Sequence, residues 1–211
     1  MSSYAEIDPV VFILDSDSAT REPLRTLMGA SGWRMQTYTS AVDFLGSPCE
    51  SRPSCLVLNA VLSDMCGLEL QRLLADSRPH LAIVFIAARA DVAAGVRAMK
   101  SGAVDFLSTP LADHEIVGAV NDAIERSRTW LARAAELQTL SKNYATLSCR
   151  EREVMALVTS GLLNKQAGGK LGISEITVKA HRGHAMRKMD ARNFADLVNK
   201  ANKLRSEMAH L

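Results

Sequence analysis

Five short apolar runs alternate strictly with amphipathic segments through residues 1–125. The runs are Val10–Leu14, Arg34–Tyr38, Cys55–Leu58, Ala82–Ile86 and Val104–Leu107. Segments of helical periodicity fill the gaps: Ala19–Ala30, Ala41–Leu45, Gly67–Ser77, Val92–Lys100 and a stretch from Glu115 onward. Strands separated by helices cannot close into tight hairpins. They pair through crossovers, which gives a parallel sheet covered on both faces. The expected fold is α/β, a doubly wound five-stranded sheet of order 2-1-3-4-5, with its site at the carboxyl ends of the strands. Ser40 with Asp43 reads as a capping pair, and Asp113 as the N-cap of the last helix.

Those carboxyl ends carry the chemistry. The first strand ends Leu14-Asp15-Ser16-Asp17, and the third ends at Asn59, followed by Ser63-Asp64-Met65-Cys66-Gly67. The fourth ends Phe85-Ile86-Ala87-Ala88, and the fifth runs Asp105-Phe106-Leu107-Ser108-Thr109-Pro110. Together with Met99-Lys-Ser-Gly-Ala-Val-Asp-Phe106, this set is similar to FixJ/NarL-type response-regulator receivers.

The resemblance implies a phosphorylation switch, and it locates where that switch departs from the family. The phosphoacceptor aspartate matches Asn59, whose carboxamide is a poor nucleophile and carries no charge for Mg²⁺. The second acidic-pocket carboxylate matches Ser16, leaving Asp15, with Asp17 just beyond. The Thr/Ser that contacts the phosphoryl group matches Ala87, and the pairing Lys matches Thr109. The aromatic switch position is kept as Phe106. Hard divalent cations depend on carboxylate oxygens, and a phosphoryl group needs cationic and hydroxyl partners. The expectation is an atypical receiver that is not phosphorylated at Asn59. The competing reading is an ordinary receiver with Asp15 or Asp17 as acceptor.

Charge divides the chain. Residues 1–125 carry a net −7 and residues 126–211 a net +9, within a total of +2. This suggests that only the second part meets a polyanion; two soluble domains of different charge are the blander alternative. The four cysteines, Cys49, Cys55, Cys66 and Cys149, show no CxxC spacing and read as reduced thiols. Cys66, in the loop after Asn59, is the candidate for redox sensing against a plain structural role. The first residues lack the basic and apolar regions of a signal peptide, and no apolar run is long enough to span a bilayer. The expected location is the cytoplasm.

From Glu115 to about Leu140 one long helix is expected. Ile116, Val120, Ala123, Ser127, Trp130, Ala134, Leu137 and Leu140 recur at three- and four-residue steps, close to a heptad seam. Such a seam suggests a dimer as well as a linker, against an amphipathic helix packing on its own domain, as its first two turns are expected to do. Beyond it, Ser148 and Glu151 form a capping box for a helix that Gly161 stops. Lys165–Leu171 is a short helix ended by Gly172, Ser174 caps a third at Glu175–Met189, and Phe194–Leu204 is a fourth. The short helix, Gly-containing turn and basic helix form a helix-turn-helix signal.

In the third helix, Val178, His181, Ala185 and Met189 should face the core. Lys179, Arg182, Gly183, Met186 and Arg187 should face outward, with Lys188 on the flank. The stretch Leu147-Ser…Arg150-Glu-Arg-Glu-Val…Gly161…Asn164-Lys-Gln…Leu171-Gly-Ile-Ser…Thr177-Val-Lys…His181-Arg…Met186-Arg-Lys-Met189 closely resembles the LuxR-type DNA-binding domain. It implies a four-helix domain that dimerises through its last helix and reads double-stranded DNA with its third, on which the expected contacts are Thr177, Lys179, Arg182, Gly183, Arg187 and Lys188. The alternative is a solvated basic helix. One departure is Ala167-Gly168 where the family has Ile-Ala. Each glycine costs a helix roughly 1 kcal/mol against alanine, which predicts a weakened second helix.

The expected organisation is a receiver-like domain at 1–125, a helical linker at 126–142 and a helix-turn-helix domain at 143–211. The expected function is DNA-binding transcription regulation, controlled through dimerisation or a signal other than aspartyl phosphate. The expected partners are DNA, a second copy of the chain, and a sensor kinase or RNA polymerase. No nucleophile–base pair, phosphate loop or Cys/His cluster points to an enzyme, a metal or a cofactor. The rival function is an interaction module that sequesters a kinase or sister regulator.

Overall fold

The computed structural model describes residues 7–88 and 92–208. Its elements are β1 (Val10–Leu14), α1 (Ser18–Ala30), β2 (Arg34–Tyr38), α2 (Ala41–Gly46), β3 (Ser54–Asn59), α3 (Gly67–Ser77), β4 (Leu81–Ala87), α4 (Val92–Lys100), β5 (Asp105–Ser108) and α5 (Asp113–Ala145), followed by α6 (Cys149–Thr159), α7 (Asn164–Leu171), α8 (Glu175–Lys188) and α9 (Phe194–Met208). The chain divides into two compact units between Ala132 and Arg133, inside α5.

The five strands form one sheet of order β2-β1-β3-β4-β5, parallel throughout. Strand alternation sends successive side chains to opposite faces. Phe12, Leu14, Leu56, Leu58 and Phe85 pack on one face with Phe44, Leu70 and Leu74 from α2 and α3. Val11, Ile13, Val57, Val84 and Ile86 pack on the other with Leu24 and Met28 from α1, and with Ile116, Val120 and Ala123 from α5. The central strands β1, β3 and β4 are buried on both faces, apart from a half-buried Asn59 where β3 ends. β2 and β5, at the edges, are not. That explains why β2 reads as the polar RMQTY.

The expected ends move by a residue or two. β3 starts at Ser54 and reaches Asn59, β5 lies at Asp105–Ser108, and Asp113 is the first residue of α5 rather than its cap. Ser40 does cap α2, accepting from Asp43 N at 3.1 Å. Buried Arg78 closes the other end of α2. Its Nη2 donates to Phe44 O, Leu45 O and Ser47 O, and its guanidinium lies 4.8 Å from the Phe44 ring centroid. A cation suits that end of the helix dipole.

The heptad-like pattern of α5 is divided between two cores. Ile116, Val120 and Ala123 pack on the sheet, while Leu140 joins Leu147, Met155, Met189 and Leu197 in the second unit. The first turns are committed to the sheet, as expected, and only the distal positions are left for a dimer seam. Trp130 stays exposed, and Ala134 and Leu137 are half-buried.

In the second unit the expected capping box is formed. Glu151 N donates to Ser148 Oγ at 3.3 Å, and Ser148 N donates to Glu151 Oε2 at 2.7 Å. Gly161 (φ +99°) and Gly172 (φ +67°) end α6 and α7 in conformations that favour glycine.

The expectation for α7 is corrected at Gly168. This residue is buried, and a Cβ on it would stand 2.7 Å from Ile173 O. Gly168 O accepts from Ile173 N at 3.0 Å. The glycine lets the turn between α7 and α8 close onto α7. It is a packing requirement, not only a helix weakness. Gly169 faces open space.

Candidate functional site

At the carboxyl end of the sheet, β1 and β3 lie side by side, with Leu14 level with Leu58. This places Asp15 and Asn59 in contact. Asn59 Nδ2 donates to Asp15 Oδ2 at 2.9 Å, and Asn59 Oδ1 accepts from Val61 N at 3.0 Å. Rotating the amide would set an oxygen against the carboxylate and a nitrogen against an N–H. The two bonds fix its orientation together. Asp15 is 1% exposed, and its other oxygen accepts from Asp17 N at 2.9 Å. The buried carboxylate is thus satisfied by N–H groups rather than by a cation.

Ser16 turns away to Ser63. Their hydroxyls are 3.2 Å apart, and Ser63 N donates to Ser16 Oγ at 3.1 Å. Thr109 is stitched to the end of β4 by its N and Oγ1, both directed at Ala87 O (2.9 and 3.4 Å). Asp17 caps α1 through Ala19 N at 3.0 Å. The donor set of a hard divalent cation is not assembled here: one carboxylate already carries two N–H partners, and a carboxamide and a hydroxyl stand beside it. Among the described residues no cluster of three or more His, Cys, Asp or Glu side chains suits a metal.

A cavity of about 570 Å³ opens beside Asn59, lined in part by Cys66, Ala87, Ala88, Arg97 and Phe106. The Phe106 ring stacks on Phe85 with centroids 6.0 Å apart. Cys66 is exposed there, whereas Cys55 is buried and burial drives its thiol far above the ordinary range. Asp64, which sequence reasoning passed over, accepts from Val42 N at 3.1 Å. Backbone hydrogen bonds from Ala41, then Val42, hold its carboxyl below the usual value. It ties the loop after β3 to the start of α2.

In the second unit, Ser174 caps α8 and accepts from Thr177 N at 3.1 Å. The outward face of α8 presents Ile176, Lys179, Ala180, Gly183 and Arg187, all exposed. Ile176 is 81% exposed, and sequence reasoning missed it. Two expected outward residues lie nearer the core. Met186 packs against the second-unit core, and half-buried Arg182 donates to Asn164 Oδ1 at 3.3 Å with its guanidinium 5.5 Å from the Phe194 centroid. The reason is angular: at 100° per residue, 182 and 186 flank Val178, Ala185 and Met189 rather than oppose them. Thr177 shares its hydroxyl with Ser174 at 2.8 Å.

Lys188 also has an internal partner. Its Nζ lies 2.7 Å from Glu151 Oε2 and 3.1 Å from Thr146 O. Glu151 is 4% exposed. The hydrogen bond from Lys188, then that from Ser148 N, brings its carboxyl down to about 2. Lys188 thus anchors α8 to α6, while Lys179 and Arg187 stand outward. His181 is half-buried as expected of a packed histidine, with its ring 6.4 Å from that of His184.

Comparison with known proteins agrees with both halves. Residues 11–121 match the response regulator receiver domain, and residues 145–201 match the bacterial regulatory proteins of the luxR family. This chain belongs to the response regulators that join a receiver to a luxR-type domain. It is a two-component transcription regulator, not an enzyme. Nodulation protein W of Bradyrhizobium diazoefficiens is 42% identical over 200 residues, covering 95% of this chain and 88% of that protein. Response regulator protein TodT of Pseudomonas putida is 37% identical over 199 residues, covering 94% and 88%. The solved structure of the response regulator StyR superposes with a TM-score of 0.79 at 36% identity, covering 93% of this chain and 100% of that one. Among the described residues no helix of this regulator is long and apolar enough to cross a membrane.

Proposed function

We propose that this response regulator acts on DNA in the cytoplasm without phosphotransfer at Asn59. The carrying observation is the hydrogen bond from the Asn59 carboxamide to the Asp15 carboxylate. It fills the place where an acceptor carboxylate and a cation would act. With Ala87 and Thr109 supplying neither the cation nor a hydroxyl directed into the pocket, a phosphoryl group at this site would lack its partners. Control then rests on another differential binder, or the regulator is always competent. Duplex DNA meets the outward face of α8: Lys179 and Gly183 approach base edges, Arg187 approaches phosphate, and Ile176 is placed for a thymine methyl. Thr177 and Arg182 hold that helix in position.

A homodimer fits this reading, because luxR-type helices on a two-fold axis would match paired half-sites. Since α5 leaves only its distal positions for a seam, the exposed face of α4 is the stronger candidate. Val92, Val96 and Met99 are exposed there. They line a shallow groove of about 430 Å³ with Phe106.

Intact mass after treatment with acetyl phosphate and Mg²⁺ tests the first claim; no added phosphoryl group is expected. A hydroxylamine-labile adduct would restore the ordinary-receiver reading. Sedimentation of Val96→Glu tests the dimer face. Selected binding to genomic fragments tests DNA recognition, and its failure would favour the kinase-sequestering module.

A further inference from the structure

At the amino-terminal edge of the sheet, the end opposite Asn59, lies a separate cleft of about 280 Å³. The start of β4, the end of α3, the Ser101–Gly102 turn and one stretch of α5 enclose it. We propose that this cleft is a binding site for a small planar aromatic anion carrying a ring hydroxyl.

Four side chains define that ligand. Gln71 is 3% exposed and donates Nε2–H to Ala98 O at 3.1 Å. Its Oε1 is buried and has no partner among the described residues. A buried carbonyl of this kind is unfavourable until a donor reaches it, so a small turn of the amide toward the cleft would be offset by an O–H or N–H from a ligand. His80 is 8% exposed, and its Nε2 lies 3.0 Å from Glu50 O. A carbonyl only accepts, so Nε2 carries the proton. Burial first, then the charge of Arg78, keeps the imidazole's pKa below its ordinary value. Neutral His80 therefore keeps Nδ1 as a second acceptor.

Trp130 makes the site aromatic. Its ring centroid lies 6.0 Å from that of His80, and the side chain is 40% exposed at the mouth. Large exposed indoles are unusual without a partner surface. Arg126 makes the site selective for an anion. Its Nη2 lies 3.7 Å from where a Cβ on Gly102 would stand, and no acidic side chain lines the cleft. Arg126 forms no ion pair among the described residues. The other lining cation, Arg78, is already committed to Phe44 O, Leu45 O and Ser47 O.

The volume falls just below the usual range for drug-sized sites, which suits a ligand of about ten non-hydrogen atoms. A benzene ring with one carboxylate and one hydroxyl has that size. Arg126, Ser127 and Trp130 all belong to α5, so occupancy would be felt by that helix. This site is independent of the Asn59 pocket and of whether Asn59 is bypassed.

The test uses the full-length chain with para-hydroxybenzoate, benzoate and cyclohexanecarboxylate, read by saturation-transfer NMR and calorimetry. Para-hydroxybenzoate is expected to bind about tenfold more tightly than benzoate, and cyclohexanecarboxylate more weakly still. Arg126→Ala is expected to weaken para-hydroxybenzoate by about tenfold or more. Gln71→Met is expected to remove the preference for the hydroxyl. Because Gln71 is buried, Trp130→Leu at the rim gives a second handle: it should level the aromatic and alicyclic acids. Absence of para-hydroxybenzoate binding at millimolar concentration overturns the proposal. So do equal affinities for the three acids in the wild type, or affinity indifferent to Arg126→Ala.

Discussion

Asn59 donates its carboxamide N–H to the buried carboxylate of Asp15 across 2.9 Å, and this one bond replaces the cation that two facing carboxylates would demand. A pocket that holds its own charge in this way is stable without a metal. The consequence reaches beyond chemistry, because the loops after β1 and β3 are tied together in the resting protein.

Asn59→Asp sets two carboxylates at hydrogen-bond distance and removes the donor. Repulsion and lost hydrogen bonding should lower stability by about 1–3 kcal/mol. Millimolar Mg²⁺ or Ca²⁺ should return part of the loss in the variant and leave the wild type unchanged. Thermal melts with and without the cation check this. The variant should still resist stable phosphorylation, because Ser16, Ala87 and Thr109 remain.

The two glycines of α7 should respond to alanine with opposite signs. Gly169→Ala enters open space and should stabilise the second unit by about 1 kcal/mol. Gly168→Ala gains the same propensity but drives a methyl to 2.7 Å from Ile173 O. Net destabilisation of about 1–3 kcal/mol is expected from overpacking. Denaturant midpoints of the two variants decide it; two gains of equal size would mean the turn moves freely.

These contrasts mark what the sequence makes legible. Strand positions and sheet order can be read because β1, β3 and β4 are buried on both faces and stand out as apolar runs. Ser16, Asn59, Ala87 and Thr109 can be placed together because each sits at or just beyond a strand end, and the resemblance to receivers is what marks them as departures. Pairings that depend on exact rotation or on distant chain segments cannot. The helical wheel sets Arg182 and Met186 beside the core positions, but only packing shows that Arg182 turns to Asn164 and Phe194 and that Met186 joins the core. Lys188 finds Glu151 thirty-seven positions away, and Gln71 meets Trp130 in one cleft only after the chain has wound the sheet. The α5 repeat is continuous in sequence, but periodicity does not say how many cores share it.

His80 should make the first unit sensitive to mild acid. Burial lowers its folded pKa below the unfolded value of 6.5, so the unfolded chain takes up the proton first. The contribution is complete above that pH and is lost as pH falls below it. Full-length melts between neutral pH and pH near 5 should show the decline, and His80→Gln should flatten it.

Glu151 carries the opposite chemistry with the same pH sign. Its folded carboxyl sits at about 2 against an ordinary 4.5, because Lys188 and Ser148 N hold it ionised. Stability is complete above the unfolded value and falls progressively toward the folded one. Calorimetry of wild type against Glu151→Gln isolates this loss, which should vanish in the variant along with part of the stability at neutral pH.

The internal tie of Lys188 separates it from Lys179 and Arg187 in DNA binding. Arg187→Ala should reduce the salt slope of binding by about one unit, because it approaches phosphate, whereas Lys179→Ala acts at a base edge. A side chain that reads a base should instead relax sequence preference at a cost of about 1–3 kcal/mol. Lys188→Ala should leave the slope nearly unchanged and lower stability by about 1–2 kcal/mol, since it strands a buried carboxylate while its own ammonium is partly exposed. Ile176→Ala should weaken a thymine-containing site by about 1 kcal/mol and leave nonspecific DNA unaffected. Affinities at several salt concentrations, on specific and nonspecific duplexes, distinguish the four. If Lys179→Ala and Arg187→Ala change neither affinity nor slope, α8 does not enter the groove. If Lys188→Ala lowers the slope with no change in melting, its ammonium leaves Glu151 for phosphate when DNA arrives.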